Sequence, residues 1–476
     1  MTQFSSNSEL RQPPTDSTEP LQPKKKRRPG FFTYLALVML TLVLLLGGGY
    51  AVWSFSAKSQ LAAARQKIIE RGEPLYFADL APAPVDPSLD GSPYFRRACA
   101  LVVNPGEDFH KLLDGRTWGG PQPIPPAGPG DHPLFRQALA ENQAALDMLR
   151  EAFKRPYCRM QINYQTNQPI AILFYDIQKA RTLAHLLKAD VLQSLGTGDT
   201  DRAVEAVEEF FALSELTRSE PFLISQLVRI AIAGVAFKSL ETTVAHASLT
   251  PEQFASLDAK LAKLQDSVRL KQAMVGERCS MMTTMENLTS QDLGLIGGGA
   301  GAATTFYRLL PPQMMEEQAA MLDLMTRAAD TVDTPGAEGR RQADALNDDM
   351  ENLPSRYVLS RMLLPATMAV REAGLLYRQT LLNARLGMRV DRYRTEHGAL
   401  PERLEDVLDD QLKEIPSGLF SEKPLVYRVL DDGFTIYDVG ENGIDEGGER
   451  QPDRQEGGPA FRVRYPAVEP ENAGDS

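Results

Sequence analysis

The sequence predicts a mainly α-helical protein with one transmembrane helix near its amino terminus, an antiparallel helical bundle and a small α+β module near its carboxyl terminus. Three observations lead to this fold class. An uncharged apolar run begins at Phe31, apolar residues recur at spacings of three and four over most of residues 133–288, and two alternating apolar stretches flank Asp432-Gly433. The chain of 476 residues is 43% hydrophobic and 24% charged, which is typical of globular proteins.

The amino-terminal residues predict a membrane anchor. Residues 1–30 are rich in Ser, Pro and Gln, predict a disordered cytoplasmic tail, and end in the basic cluster Lys24 to Arg28. Residues 31–55 carry no charge, and an α-helix needs about 20 such residues to cross a bilayer. Because the denser basic flank stays on the cytoplasmic side, we expect a single-pass protein of a bacterial inner membrane with its bulk outside the cytoplasm.

A second apolar stretch, Pro221 to Phe237, has Arg229 at its centre. A charge at the middle of a span is costly, so the stretch predicts a buried helix instead. Residues 56–132 are predicted to extend the first helix to about Arg71 and then to become irregular, because they are rich in Pro and Gly.

Residues 133–355 predict a helical domain, which could also be two. Asp199 or Thr200 is positioned to cap one helix. Thr250-Pro251-Glu252-Gln253 combines an N-cap, an early Pro and a capping Gln, which indicates the start of another helix. A polar linker is expected near Thr334 to Asn352.

Residues 356–453 predict a long helix, bent at Pro365, followed by a β-hairpin. The two strands are expected at Pro424 to Leu430 and Phe434 to Val439. An acidic, glycine-rich loop then follows at residues 440–448. Residues 454–476 are expected to form a disordered tail.

The carboxyl-terminal module carries a moderately specific motif. Its residues are Tyr393, Arg394, His397, Gly398, Leu400 and Pro401 at the helix end, then Tyr437, Gly440, Asn442, Gly443, Asp445, Gly447 and Gly448 after the hairpin. This combination, over Gly374 to Asp453, resembles the globular head of the major pseudopilin of type II secretion systems. That family places Glu at the fifth position of its mature chain, where this sequence has Leu35.

The resemblance implies a calcium site. In that family the loop after the hairpin binds calcium, which implies Asn442 and Asp445 as ligands, together with Asp438 or Asp453. Calcium takes six to eight oxygen ligands, which carboxylates, an amide and glycine carbonyls can supply. The alternative is a solvated acidic turn without a metal.

Chemistry elsewhere in the sequence is sparse. The net charge of −12 argues against nucleic acid as the principal partner, and three Cys are too few and too scattered for a disulfide framework or a zinc site. The five His lie far apart, and no nucleophile–base motif is present, so we expect no enzyme. Seven methionines could bind soft copper but fit core packing better; they are Met281, Met282, Met285, Met314, Met315, Met321 and Met325.

The function that these observations favour is an interaction or scaffold protein of the bacterial envelope, with the membrane and other envelope proteins as partners. Two alternatives remain: a component of a type II secretion or type IV pilus-like system, and a membrane-tethered hydrolase. The hydrolase would need a polar cleft that gathers residues unrelated in sequence.

Overall fold

A computed structural model describes residues 31–114, 127–172, 175–265, 269–289, 310–410, 412–448 and 459–466. These residues are mainly helical, with a three-stranded antiparallel sheet toward the carboxyl end. The chain divides after Ser56 into two units.

The described α-helices are α1 Phe31–Glu70, α2 Ser92–Leu101, α3 Glu107–Asp114, α4 Pro133–Glu141, α5 Gln143–Phe153, α6 Tyr175–Gly196, α7 Thr200–Glu215, α8 Leu223–His246, α9 Pro251–Leu264, α10 Leu270–Glu286, α11 Pro311–Thr331, α12 Gly336–Glu351, α13 Val358–Leu363 and α14 Pro365–His397. Short 3-10 turns lie at Phe77–Leu80, Pro87–Leu89, Pro169–Ala171 and Leu404–Val407. The strands are β1 Val426–Leu430, β2 Gly433–Tyr437 and β3 Ala460–Arg464.

Helix α1 begins at the apolar run and continues to Glu70, so the predicted extension is confirmed. Its first half is long and apolar enough to cross a membrane, and the large apolar side chains from Phe31 to Phe55, apart from the half-buried Trp53, are exposed. Beyond Ser56 the helix buries Ala57, Leu61 and Ile68. Their spacing of four and seven places them on one helical face.

Helices α6, α7 and α8 pack against one another at the centre of the second unit, and α14 lies against α8 and α9. Helix α8 also has the length and composition of a span, but 56% of its apolar window is buried. Arg229, at its centre, is 1% exposed and pairs with Glu215, while Gln226 Oε1 accepts a 3.1 Å hydrogen bond from its guanidinium. The expected buried helix is therefore what the structure shows.

Both predicted helix caps are present. The Asp199 side chain accepts a hydrogen bond from the Arg202 amide at the start of α7, and Thr250 and Gln253 form a capping box at the start of α9. Helix α10 packs on α11, and Met282, Met285, Met321 and Met325 are buried.

Two expectations of irregular structure are wrong. The polar segment 334–352 contains helix α12, which buries Gly336, Gly339 and Leu346 while most of its charged side chains face solvent, so it lacks an apolar period. The Pro- and Gly-rich region contains α2 and α3, which are fixed by buried Phe95 and Phe109. The long carboxyl-terminal helix was expected to bend at Pro365. In the structure it is interrupted at Leu364, which separates α13 from α14, because Pro365 has no amide hydrogen to continue the hydrogen bonding of α13.

The predicted hairpin is confirmed, with Val426 opposite Tyr437 and Leu430 opposite Gly433. Strand β3 pairs antiparallel with β2 and lies in the segment expected to be a disordered tail, so that expectation is wrong for residues 460–464. Its Phe461 and Val463 are fully buried. Helix α14 and strand β3 are in close contact at Gly387, where an added Cβ would lie 2.2 Å from the Phe461 ring.

Candidate functional site

Three potential metal ligands meet where α3 approaches α6. His110 and Asp114 are one turn apart on α3, so both side chains leave the same face of the helix. The buried Phe109 and Leu113 anchor α3 and direct this pair toward His185 of α6. One donor atom from each of the three side chains lies within 4.8 Å of the others, and all three side chains are half-buried.

His185 and Asp114 face each other without a hydrogen bond. His185 Nε2 lies 3.9 Å from Asp114 Oδ2, which is too long for one. Burial lowers the pKa of His185, and the nearby positive charges of Arg181 and Lys188 lower it further, while Asp114 opposes the shift. The imidazole is therefore neutral near pH 7 and keeps a lone pair.

The other oxygen of Asp114 is paired with Lys188. Lys188 Nζ lies 2.9 Å from Asp114 Oδ1 and donates a second hydrogen bond, also 2.9 Å long, to the carbonyl of Leu113. This pair orients the carboxylate and leaves Oδ2 on the side of His185.

Asn104 orients the ring of His110. Its Oδ1 accepts a 3.2 Å hydrogen bond from the amide of Gly106, which identifies that atom as the oxygen. The same oxygen lies 3.1 Å from His110 Nε2, so Nε2 must donate. In the neutral ring the lone pair is then on Nδ1.

Two imidazole nitrogens and a carboxylate oxygen form a donor set that suits zinc and similar divalent transition metals. Within the described ranges, no other three His, Cys, Asp or Glu side chains come this close together. Sequence reasoning missed the group because His110 and His185 are far apart in the chain and α3 was not predicted. The spacing of His110 and Asp114 by four residues was the available signal.

The remaining histidines bond to backbone carbonyls. His246 Nδ1 lies 2.9 Å from the carbonyl of Thr242, and His397 Nδ1 lies 2.9 Å from that of Tyr393. His132 Nε2 similarly lies 3.1 Å from a carbonyl four residues earlier. These contacts hold the rings against their own backbone.

The three thiols are buried, and burial raises the pKa of each to about 12. A thiol with such a pKa is protonated at neutral pH and is a poor nucleophile. They are Cys99, Cys158 and Cys279.

Among the residues predicted to bind calcium, Asp438 and Asn442 bond to backbone amides. Asp438 is 1% exposed; its Oδ2 accepts from the Phe420 amide at 2.9 Å and its Oδ1 from the Gly440 amide at 3.1 Å. Asn442 Oδ1 accepts from the Ile444 amide at 3.0 Å. These bonds hold the start of the loop against the turn that precedes β1.

Asp445 is engaged on both oxygens. Its Oδ1 accepts from the Tyr437 hydroxyl at 2.5 Å and from the Gly447 amide at 3.0 Å, and its Oδ2 pairs with Arg428 at 2.6 Å. These hydrogen bonds, the one from Tyr437 foremost, lower the pKa of Asp445. Asp453 lies outside the described residues. A calcium ion here would have to displace Arg428, and the calcium site stays a prediction.

Comparison of this chain with protein-family models, with curated proteins and with solved structures finds no match.

Proposed function

We propose that this chain is a single-pass membrane protein that acts as an interaction or scaffold element of the bacterial envelope, with its second unit outside the cytoplasm. The observation that carries the proposal is the exposed apolar surface of α1 from Phe31 to Phe55. Apolar area left in water costs about 25 cal/mol per Å², so a surface of this extent favours a lipid environment.

An anchor fits this helix better than a cleaved signal sequence does. Helix α1 runs without interruption from Phe31 to Glu70, and residues just beyond the apolar part, Ala57 and Leu61, are buried in the second unit. A cut behind the apolar run would fall inside this continuous helix. The basic cluster from Lys24 to Arg28 supports a cytoplasmic amino terminus.

A protein-binding role is supported by the sheet. Strand β1 pairs with β2 on one side, and no other described strand lies on its second side. An edge strand offers backbone donors and acceptors to an extended segment of another protein. Val429 on this strand is 56% exposed, and Ile444, in the loop after β2, is 61% exposed. This edge is the surface that we propose for a partner.

Membrane fractionation tests the anchor. The full chain should stay in the membrane pellet after an alkaline carbonate wash, whereas the double variant Leu42→Arg, Leu44→Arg should shift to the soluble fraction, because each buried Arg costs about 2.5–3.5 kcal/mol. The matched control is Ala62→Arg, Ala63→Arg, which adds the same charges at exposed positions of the same helix. Release of the unaltered chain by carbonate would refute the proposal.

A second candidate function is a component of a type II secretion or pilus-like system. It is supported by the packing of the long helix α14 on β2 and β3 of an antiparallel sheet, beside the motif residues described above. Amino-terminal sequencing of the membrane-extracted protein separates the two candidates. A mature chain that begins at Phe31 would favour the secretion component, and an intact basic tail would exclude processing at Gly30.

A further inference from the structure

We propose that His110, Asp114 and His185 form a binding site for a divalent transition-metal ion, with zinc as the best chemical fit. The site lies where α3 meets α6 in the second unit, includes no residue of the apolar run or of the motif after the hairpin, and does not depend on the proposed function.

The donor atoms of the three side chains are spaced so that one metal ion could bind between them. His185 Nε2 and Asp114 Oδ2 are 3.9 Å apart. An ion about 2.0–2.1 Å from a nitrogen and about 2.0–2.2 Å from an oxygen reaches both atoms. The nitrogen of His110 completes a set of three within 4.8 Å. A tetrahedral zinc site would need a small inward rotation of these side chains and a water as fourth ligand.

The neighbouring side chains already orient the ligands. Metal-bound histidines usually donate their other N–H to an oxygen, and His110 has such a partner in Asn104 Oδ1 at 3.1 Å. Lys188 fixes one oxygen of Asp114 and leaves the other facing His185. Because these contacts exist without the metal, little ordering is needed when the ion binds.

Such an ion would fasten α3 to α6. Helix α3 has eight residues and contributes two buried side chains to the core, so its own packing is modest. A metal bound only by the folded arrangement stabilises that arrangement. The role that we infer for the ion is therefore structural.

Zinc titration of the full-length protein in detergent, after treatment with a chelator, tests the site. Calorimetry should show one Zn²⁺ per chain, and Co²⁺ should give the visible absorption of a low-symmetry nitrogen and oxygen site. His185→Gln and Asp114→Asn should each weaken binding by at least about tenfold. His246→Gln is the matched control, because that ring bonds its own helix backbone on α8, and it should bind as the unaltered chain does.

Lys188→Gln gives a change in the opposite direction. The glutamine amide can still donate a hydrogen bond to Asp114 and so keep its orientation, but it carries no positive charge to repel the ion, so affinity should rise about tenfold. Equal thermal midpoints of all variants in chelator would show that the fold is retained. The proposal is overturned if the unaltered chain binds no stoichiometric Zn²⁺ or Co²⁺, or if binding is the same in the His185, Asp114 and His246 variants.

Discussion

Replacing Glu220 with glutamine should reduce the pH dependence of this protein's stability. Glu220 lies between α7 and α8 and is 3% exposed. Its Oε1 accepts a 2.7 Å hydrogen bond from the Met160 amide, whereas Oε2 is buried and has no hydrogen-bond partner among the described residues. Burial raises the pKa of Glu220 to about 7, against the opposing effects of the Met160 amide and the charge of Arg159.

The sign and size follow from proton linkage. The carboxyl of Glu220 has a pKa of about 7 in the folded chain and 4.5 as its ordinary value. Between these pH values the unfolded chain releases the proton and the folded chain keeps it, so the free energy of unfolding falls as pH rises. The contribution is complete below pH 4.5 and lost above about pH 7. A shift of this size corresponds to ~3 kcal/mol.

Urea unfolding of the full-length protein in detergent, followed by circular dichroism, measures this effect between pH 4.5 and 7.5. Glu220→Gln should flatten the decline by ~3 kcal/mol relative to the unaltered chain. Glu241 and Glu277 are also raised in pKa by burial, but they are present in both proteins, so the difference isolates Glu220. The exposed Glu402→Gln should leave the decline unchanged. Identical declines in all three proteins would refute the reasoning.

Three further experiments test other parts of the fold. Gly387→Ala should lower the free energy of unfolding by about 1–3 kcal/mol, because its Cβ would lie 2.2 Å from the ring of Phe461 on β3. Apart from the backbone of its own helix, a Cβ at Gly234 would meet no described atom within 4 Å, so Gly234→Ala should instead raise the free energy of unfolding by about 0.5–1 kcal/mol. Arg278→Ala removes a fully buried guanidinium that pairs with Glu73 at 2.8 Å and donates hydrogen bonds to Thr326 and to the Pro74 carbonyl, so it should cost about 1–3 kcal/mol in urea unfolding. The half-exposed Arg327→Ala should cost less than about 1 kcal/mol. Calcium at 100 times its dissociation constant should raise stability by about 2.7 kcal/mol in thermal unfolding, and Asp445→Ala should abolish that rise; an equal rise in both proteins would exclude the predicted ligand.

The sequence predicted the elements whose signals are local. The apolar run of α1, the capping box at Thr250 and the Asp-Gly turn before β2 each depend on residues within a few positions of one another, and all three are present. Helix α12 was missed because Leu346 is its single large buried apolar side chain, and its polar residues resemble those of a linker. Strand β3 was missed because five residues, isolated near the end of the chain, acquire their partner only through β2.

The candidate metal site could not be read from the sequence for the same reason. His110 and His185 come together because α3 packs on α6, which is a tertiary contact. The predicted calcium ligands are the opposite case, because their pattern is visible in the sequence but the hydrogen bonds of their oxygens are not. Asp438 and Asp445 form an acidic, glycine-rich pattern, and in the structure their oxygens accept hydrogen bonds from the protein itself. A pattern of ligand types does not reveal whether those atoms already have partners.

The central claim, that the second unit lies outside the cytoplasm behind a membrane anchor, is tested most directly by reporter fusions in a bacterial host. Alkaline phosphatase, which is active only when exported, and a fluorescent protein, which folds efficiently in the cytoplasm, are joined in turn after Ser476. A second unit outside the cytoplasm should give phosphatase activity in the membrane fraction and no fluorescence. Fluorescence together with an inactive phosphatase would place the second unit in the cytoplasm and overturn the proposed topology.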